Sequence, residues 1–284
     1  MLNAIECKGL TKIYARFRLE NLDLTLPSGS IMGLVGENGA GKSTTIKLIM
    51  NTIRRDAGTV SVLGTDNQSR DFTAVKENIG VVLDEAYFPE TLNAREVGRV
   101  MASLYRQWEP DTYQRYLQQF SLPQEKAFRD YSRGMRMKLG IAVALSHQAR
   151  LLLLDEATSG LDPMARDELL DVFNDYTRQE DHSILISSHI VSDLEKICDY
   201  IAFLHGGKLL LCEEKDRLLE EYAVVRLPRD RLADLPEDSI VRQQYGAYGA
   251  QALVLRNRVP RDLPLERTSL EDIILLLAKG GAQI

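Results

Sequence analysis

Hydrophobic positions along this chain fall into three textures. In residues 2–30 apolar and polar positions alternate. Leu22, Leu24 and Leu26 are separated by Asp23 and Thr25, and Pro27-Ser28-Gly29 follows as a turn. A period of two predicts strands with one buried face, so this region is expected to be antiparallel sheet. Unbroken apolar runs form the second texture: Ile31–Val35, Ile79–Leu83 and Leu151–Leu154, with Ser183–Ser187 close to them in character. Short runs that are apolar throughout predict strands buried on both faces, as in a parallel sheet. The third texture is helical. Tyr113, Tyr116, Leu117 and Phe120 recur at helical spacing, as do Leu169, Val172, Phe173 and Tyr176.

The order of these textures predicts the architecture. A turn at Asp56-Ala57-Gly58 precedes a strand at Thr59–Leu63. Residues 93–120 read as two helices separated at Trp108-Glu109-Pro110, and the whole of 85–147 as a helical insertion whose aromatics form core. Strand and helix then alternate: 151–154, a helix from Pro163 to about Arg178, the strand at 183–187 and a short helix at Val191–Ile197. Such alternation predicts an α/β fold with a parallel sheet. Gly206-Gly207 between Tyr200–Leu204 and Lys208–Cys212 predicts a hairpin. After about Glu213 the composition shifts. Strands are expected at Ala223–Leu227 and Gln251–Arg256, and Ser269-Leu270-Glu271-Asp272 predicts a capped helix through Ala278. Residues 214–284 are thus expected to be a small α+β tail.

Composition narrows the function classes. Of 284 residues, 44% are hydrophobic and 27% charged, and the net charge is -6. This is the balance of a soluble globular protein, and no electrostatic argument favours nucleic acid. No apolar run approaches the length of a membrane helix, so any work at a membrane is expected to pass through a partner. The three cysteines, Cys7, Cys198 and Cys212, lack ligand spacing. With no signal peptide expected, they suit a reducing compartment.

The chemistry concentrates at strand ends. Gly36-Glu-Asn-Gly-Ala-Gly-Lys-Ser-Thr44 fits the P-loop pattern, with a strand before it and a helix expected from Lys42 to about Met50. Gly36, Gly39 and Gly41 let the loop turn its N–H groups inward around an anion, with Asn38 and Ala40 between them. Lys42 can reach the β- and γ-phosphates, Ser43 can hold Mg²⁺, and Thr44 completes the motif. The apolar strand 151–154 ends in Asp155-Glu156. Asp155 can hold Mg²⁺, and Glu156 can act as general base on a water in line with the γ-phosphate. Ser187-Ser188-His189 ends the next strand, where an imidazole can meet the γ-phosphate. Ser132, within Tyr131-Ser-Arg-Gly-Met135, reads as the N-cap of a helix reaching about His147, a further place where backbone N–H groups meet an anion.

Together these pieces resemble the nucleotide-binding subunit of ATP-binding-cassette (ABC) transporters, in order and spacing, across residues 1 to about 213. The resemblance implies a P-loop cassette with an antiparallel β subdomain, a helical subdomain at about 85–147, and a C-terminal extension at 214–284. It makes Tyr14 the aromatic that stacks on adenine and 36–44 the Walker A loop. Asp155 and Glu156 end the Walker B strand, 159–163 is the D-loop and His189 the switch histidine. Ser132, Arg133 and Gly134 occupy the family's signature motif, which contacts the phosphates of ATP. Two departures stand out. Tyr131, Arg133 and Met135 replace the usual Leu, Gly and Gln of the signature. Asp84, followed by Glu85, stands where the Q-loop glutamine is expected and is assigned with Ser43 and Asp155 to Mg²⁺.

The resemblance further implies ATP and Mg²⁺ as cofactors and ATP hydrolysis as the activity. The implied partners are a second copy or a paralogous cassette in a head-to-tail dimer, and a separate integral membrane permease. The segment Asp84–Asn93, with Tyr87, Phe88 and Pro89, is where the family receives that permease. The implied location is cytoplasmic, on the inner face of the cell membrane, and the variant signature is similar to bacterial exporter cassettes. The rival from another class is an ABC ATPase that serves as a mechanical or regulatory module without a permease. Single-cassette length and absence of a heptad tract favour the transporter.

Overall fold

The computed structural model describes residues 3–84, 88–246, 249–260, 263 and 265–279. In chain order, strands β1 (Asn3–Ile13), β2 (Arg18–Pro27) and β3 (Ile31–Val35) lead into helix α1 (Lys42–Ile49). Strands β4 (Ala57–Val62) and β5 (Thr65–Asp66), the single turn α2 (Phe72–Val75) and strand β6 (Ile79–Val82) follow. Three helices come next: α3 (Ala94–Leu104), α4 (Pro110–Gln119) and α5 (Arg133–Ala144). Strand β7 (Leu151–Asp155), helix α6 (Pro163–Tyr176), strand β8 (Ser183–Ser188) and helix α7 (Val191–Ile197) restore the alternation. Strands β9 (Tyr200–His205) and β10 (Lys208–Glu214) and helix α8 (Lys215–Glu221) lead to β11 (Tyr222–Leu227), β12 (Ile240–Gly246), β13 (Gly249–Leu255) and α9 (Leu270–Lys279).

Three sheets result. One is antiparallel, ordered β2-β1-β4-β5; a six-stranded sheet runs β10-β9-β3-β8-β7-β6; the third runs β11-β13-β12. In the six-stranded sheet β9, β3, β8, β7 and β6 are parallel, and β10 is an antiparallel edge joined to β9 through Gly206-Gly207. Burial follows the sequence textures. Every residue of β3, β7 and β8 is buried, whereas β2 alternates buried and exposed positions. Strand β12 was not expected from the sequence. Its Arg-Gln-Gln-Tyr stretch carries little apolar signal, and pairing with β13 makes it a strand.

The run Leu151–Leu154 shows how one strand serves two cores. Leu151 and Leu153 face the core shared with α1 and the antiparallel sheet. Leu152 and Leu154 face the core shared with α3–α7. This is the period-two alternation of a strand covered on both sides. The aromatics of the helical region are core, as expected: Tyr113 and Phe120 are buried with Leu117. Helix α5 lies directly on β6. A Cβ at Gly80 would stand 2.6 Å from Leu152 Cδ2 and 2.9 Å from the Ala144 carbonyl oxygen.

The C-terminal sheet is covered on both faces. Leu232 and Leu235 pack on one side. On the other, Leu270, Ile273, Ile274 and Leu276 of α9 join the same core as α6 and α7. Ser269 and Asp272 cap α9 reciprocally: the Ser269 N–H donates to Asp272 Oδ2 at 3.1 Å, and the Asp272 N–H to Ser269 Oγ at 3.2 Å. No helix among the described residues is long and apolar enough to cross a membrane.

Candidate nucleotide site

The carboxyl ends of β3, β7 and β8 lie side by side in the parallel sheet, so the loops that follow them converge. Gly36 is packed so tightly that a Cβ would stand 2.5 Å from the Leu204 carbonyl oxygen. Gly39 and Gly41 have φ of 86° and 115°, a left-handed backbone that admits glycine and turns the loop into α1. No acidic residue occupies the first turn of α1, so its N-terminal dipole is uncompensated there. Lys42 is buried, its Nζ donating to the Gly36 carbonyl at 2.7 Å and standing 3.4 Å from that of Glu37. Asn38 and Gly39 are exposed and Ala40 buried, while Ser43 is exposed and Thr44 half-buried on the first turn of α1.

Glu156 links this loop to the neighbouring strands. Its Oε1 is 3.1 Å from Lys42 Nζ, and its Oε2 is 2.7 Å from His189 Nδ1. Its backbone is left-handed, with φ of 53°, a conformation that costs a non-glycine residue about 1–3 kcal/mol and clusters at functional sites. Ser187 holds it there: the Glu156 N–H reaches both the Ser187 carbonyl oxygen and Oγ at 3.1 Å. The same hydroxyl donates to Asp155 Oδ1 at 2.5 Å. Asp155 is 3% exposed. Ser187 was visible in the sequence only as part of a strand end. Its role depends on β8 lying beside β7.

Tyr14 is 44% exposed and lies in the turn between β1 and β2. Its ring is 6.4 Å from that of Phe17. Phe17 in turn covers Gly41, where a Cβ would stand 3.0 Å from Phe17 Cζ. The aromatic turn therefore lies beside the P-loop. Phe17, which sequence reasoning did not select, is the residue that seats it.

Ser132, Arg133 and Gly134 sit elsewhere. Ser132 caps α5, accepting from the Met135 N–H at 3.3 Å. Arg133 donates to Asp84 at 2.5 Å. Gly134 faces Leu161 and Arg133 runs along Gly160, both in the turn before α6. Asp84, expected at the metal, thus meets Arg133, and Arg133, expected at phosphate, meets Asp84. Tyr131 is buried, its hydroxyl donating to the Pro123 carbonyl. Phe88 packs edge-on against Phe128 at 5.5 Å. Glu85 and Tyr87 lie outside the described residues.

The residues present fit a nucleoside triphosphate and a divalent cation. Lys42 of a glycine-rich loop meets Glu156, the second member of a carboxylate pair. Glu156 Oε1 is buried and makes no hydrogen bond despite its approach to Lys42, leaving an acceptor for a polar substrate.

Comparisons with known proteins agree with this geometry. The family model described as ABC transporter matches residues 19–159. The chain is 33% identical to the bacitracin transport ATP-binding protein BcrA of Bacillus licheniformis over 99% of both chains. It is 32% identical to the lantibiotic transport ATP-binding protein SrtF of Streptococcus pyogenes, over 75% of this chain and 91% of that one. A solved ATP-binding subunit of an ABC transporter superposes with a TM-score of 0.68 at 28% identity, over 76% of this chain and 91% of its own. The fold is shared with the dimeric post-hydrolysis ATP-binding cassette MJ0796, TM-score 0.67 at 20% identity, over 74% and 98% of the two chains. With Lys42, Asp155, Glu156 and His189 gathered at one end of the sheet, the chain belongs to the ATP-binding, ATP-hydrolysing proteins of the ABC transporter family.

Proposed function

We propose that this chain is the ATPase subunit of a two-component exporter. Two cassettes, identical or paralogous, close head to tail over ATP, and closure drives a separate membrane permease. The subunit then works as a peripheral protein on the inner face of the cell membrane. The named relatives serve bacitracin and lantibiotic transport, which supports the export reading.

The observation that carries the dimer reading is the separation of the phosphate-binding parts. Lys42, Glu156 and His189 form one cluster, whereas Ser132, Arg133 and Gly134 contact Asp84 and the 159–162 turn. A second subunit supplying its own 132–134 segment completes the site. Within it the N–H groups of 36–44 and Lys42 hold the phosphates. Ser43 and Asp155 would hold Mg²⁺, which supplies charge neutralisation of the phosphates when bound. Glu156 takes a proton from the attacking water, and His189 keeps Glu156 and the γ-phosphate in register. Tyr14 offers a face to adenine. Residues 214–284 are read as an extension docked on the cassette through α9.

Glu156→Gln tests this. The amide keeps the shape and loses the base, so hydrolysis falls by about 10²–10⁴-fold, while ATP converts the protein to a dimer in size-exclusion chromatography. Wild-type turnover in the variant would remove Glu156 from the base role. A monomer at saturating ATP would remove the sandwich.

A further inference from the structure

Asp84 follows the end of β6, and Arg133 is the first residue of α5. Arg133 Nη2 donates to Asp84 Oδ1 at 2.5 Å, tying the edge strand of the parallel sheet to the helix that carries the 131–135 segment. Two glycines border this contact. Gly80 lets α5 lie directly on β6. Gly160, at a left-handed φ of 73°, turns the 159–162 segment alongside Arg133, whose stem and guanidinium pass in ordinary contact, 3.4–3.6 Å from where a Cβ would be. The guanidinium is therefore bounded by a carboxylate on one side and the 159–162 turn on the other.

Both residues are also among the departures from the family pattern. A glutamine and a glycine at these places form no ion pair; an aspartate and an arginine do. The pair spends one of the five N–H donors of Arg133 and leaves 56% of that side chain exposed. A phosphate, which accepts two parallel N–H bonds, competes well with a single contact to an exposed carboxylate.

We propose that Asp84 is a positioning residue that acts through Arg133 rather than a ligand of Mg²⁺. It holds the guanidinium against the 159–162 turn in the free subunit, and yields it to the phosphates when a second subunit closes. This rests on the dimer reading above. Because the pair is exposed, it biases closure modestly and does not gate it outright.

The test uses the full chain with Glu156→Gln as parent, and measures by light scattering the ATP concentration that gives half-maximal dimer. Asp84→Asn lowers that concentration about two- to five-fold, the range of a surface ion pair. Asp84→Glu, which can still reach, stays near the parent. Arg133→Gly raises it and cancels the effect of Asp84→Asn in the double variant. The shift shrinks in about 0.5 M salt. An Asp84→Asn shift that is the same with and without Arg133 overturns the proposal. So does a raised Mg²⁺ requirement for nucleotide binding, which would make Asp84 a metal ligand. Failure of the parent itself to dimerise sinks the sandwich instead. The ion pair is then judged in the nucleotide-free protein, where additive melting shifts for the two substitutions would overturn it and coupled shifts would support it.

Discussion

Ser187 shows what a single residue contributes to this site. Its carbonyl and hydroxyl oxygens both receive the Glu156 N–H, and its hydroxyl donates to Asp155. One residue thus orients Asp155, proposed to hold Mg²⁺, and stabilises the left-handed backbone of Glu156, the proposed general base. Partners of this kind are typically worth 10–100-fold in metal affinity or activity. Ser187→Ala is therefore expected to lower Mg²⁺-dependent ATPase by about 10–100-fold, while titration with a fluorescent nucleotide shows binding retained. Walker-type residues were legible because their spacing is local: 36–44 is one loop and 155–156 one strand end. Ser187 and Phe17 were not, since each acts on a residue far away in the chain.

At the scale of elements, α5 carries the helical region onto the sheet. Gly80→Ala would drive a methyl group into Leu152 and the Ala144 carbonyl. A loss of about 1–3 kcal/mol is expected in urea unfolding, together with weaker ATP-induced dimerisation, because α5 presents residues 132–134. Just beyond α5 lies His147, 1% exposed, stacked on Tyr105 at 3.9 Å with Nδ1 3.1 Å from the Glu77 carbonyl oxygen. The carbonyl calls for a proton on Nδ1, and burial holds the ring neutral by lowering its pKa from the ordinary 6.5. The unfolded chain binds this proton more readily, so the stability is fully present above about pH 6.5 and declines below it. Melting temperature should fall between about pH 7.5 and pH 5. His147→Gln, although less stable at the upper pH, should fall less steeply. His182 shares the direction, again through burial, so some dependence persists.

The whole molecule joins its C-terminal part to the nucleotide end through α7. This helix begins two residues after His189, and the Leu270 N–H at the start of α9 donates to Glu195 on it at 3.2 Å. Ile273 is fully buried in the core that α9 shares with α7. Ile273→Ala is expected to cost about 2–5 kcal/mol, read as a lowered melting temperature in calorimetry of the full chain. Within the subunit this helix packs on its own sheet and on the flank of the cassette.

By itself the sequence determined the class of fold, the P-loop motif, the carboxylate pair and the histidine at the next strand end. Apolar runs must be buried on both faces, and the functional residues follow such runs within a few positions. Tertiary structure decided what depends on distant segments meeting. It paired β12, a polar stretch that only a neighbouring strand makes into a strand. It placed Ser187 under Asp155 and Glu156, and seated Phe17 on Gly41. It also brought Asp84 and Arg133, read separately as metal ligand and phosphate contact, within hydrogen-bonding distance of each other. That meeting follows from α5 lying on β6 over a glycine, a contact between segments that no local pattern of hydrophobic and polar positions encodes.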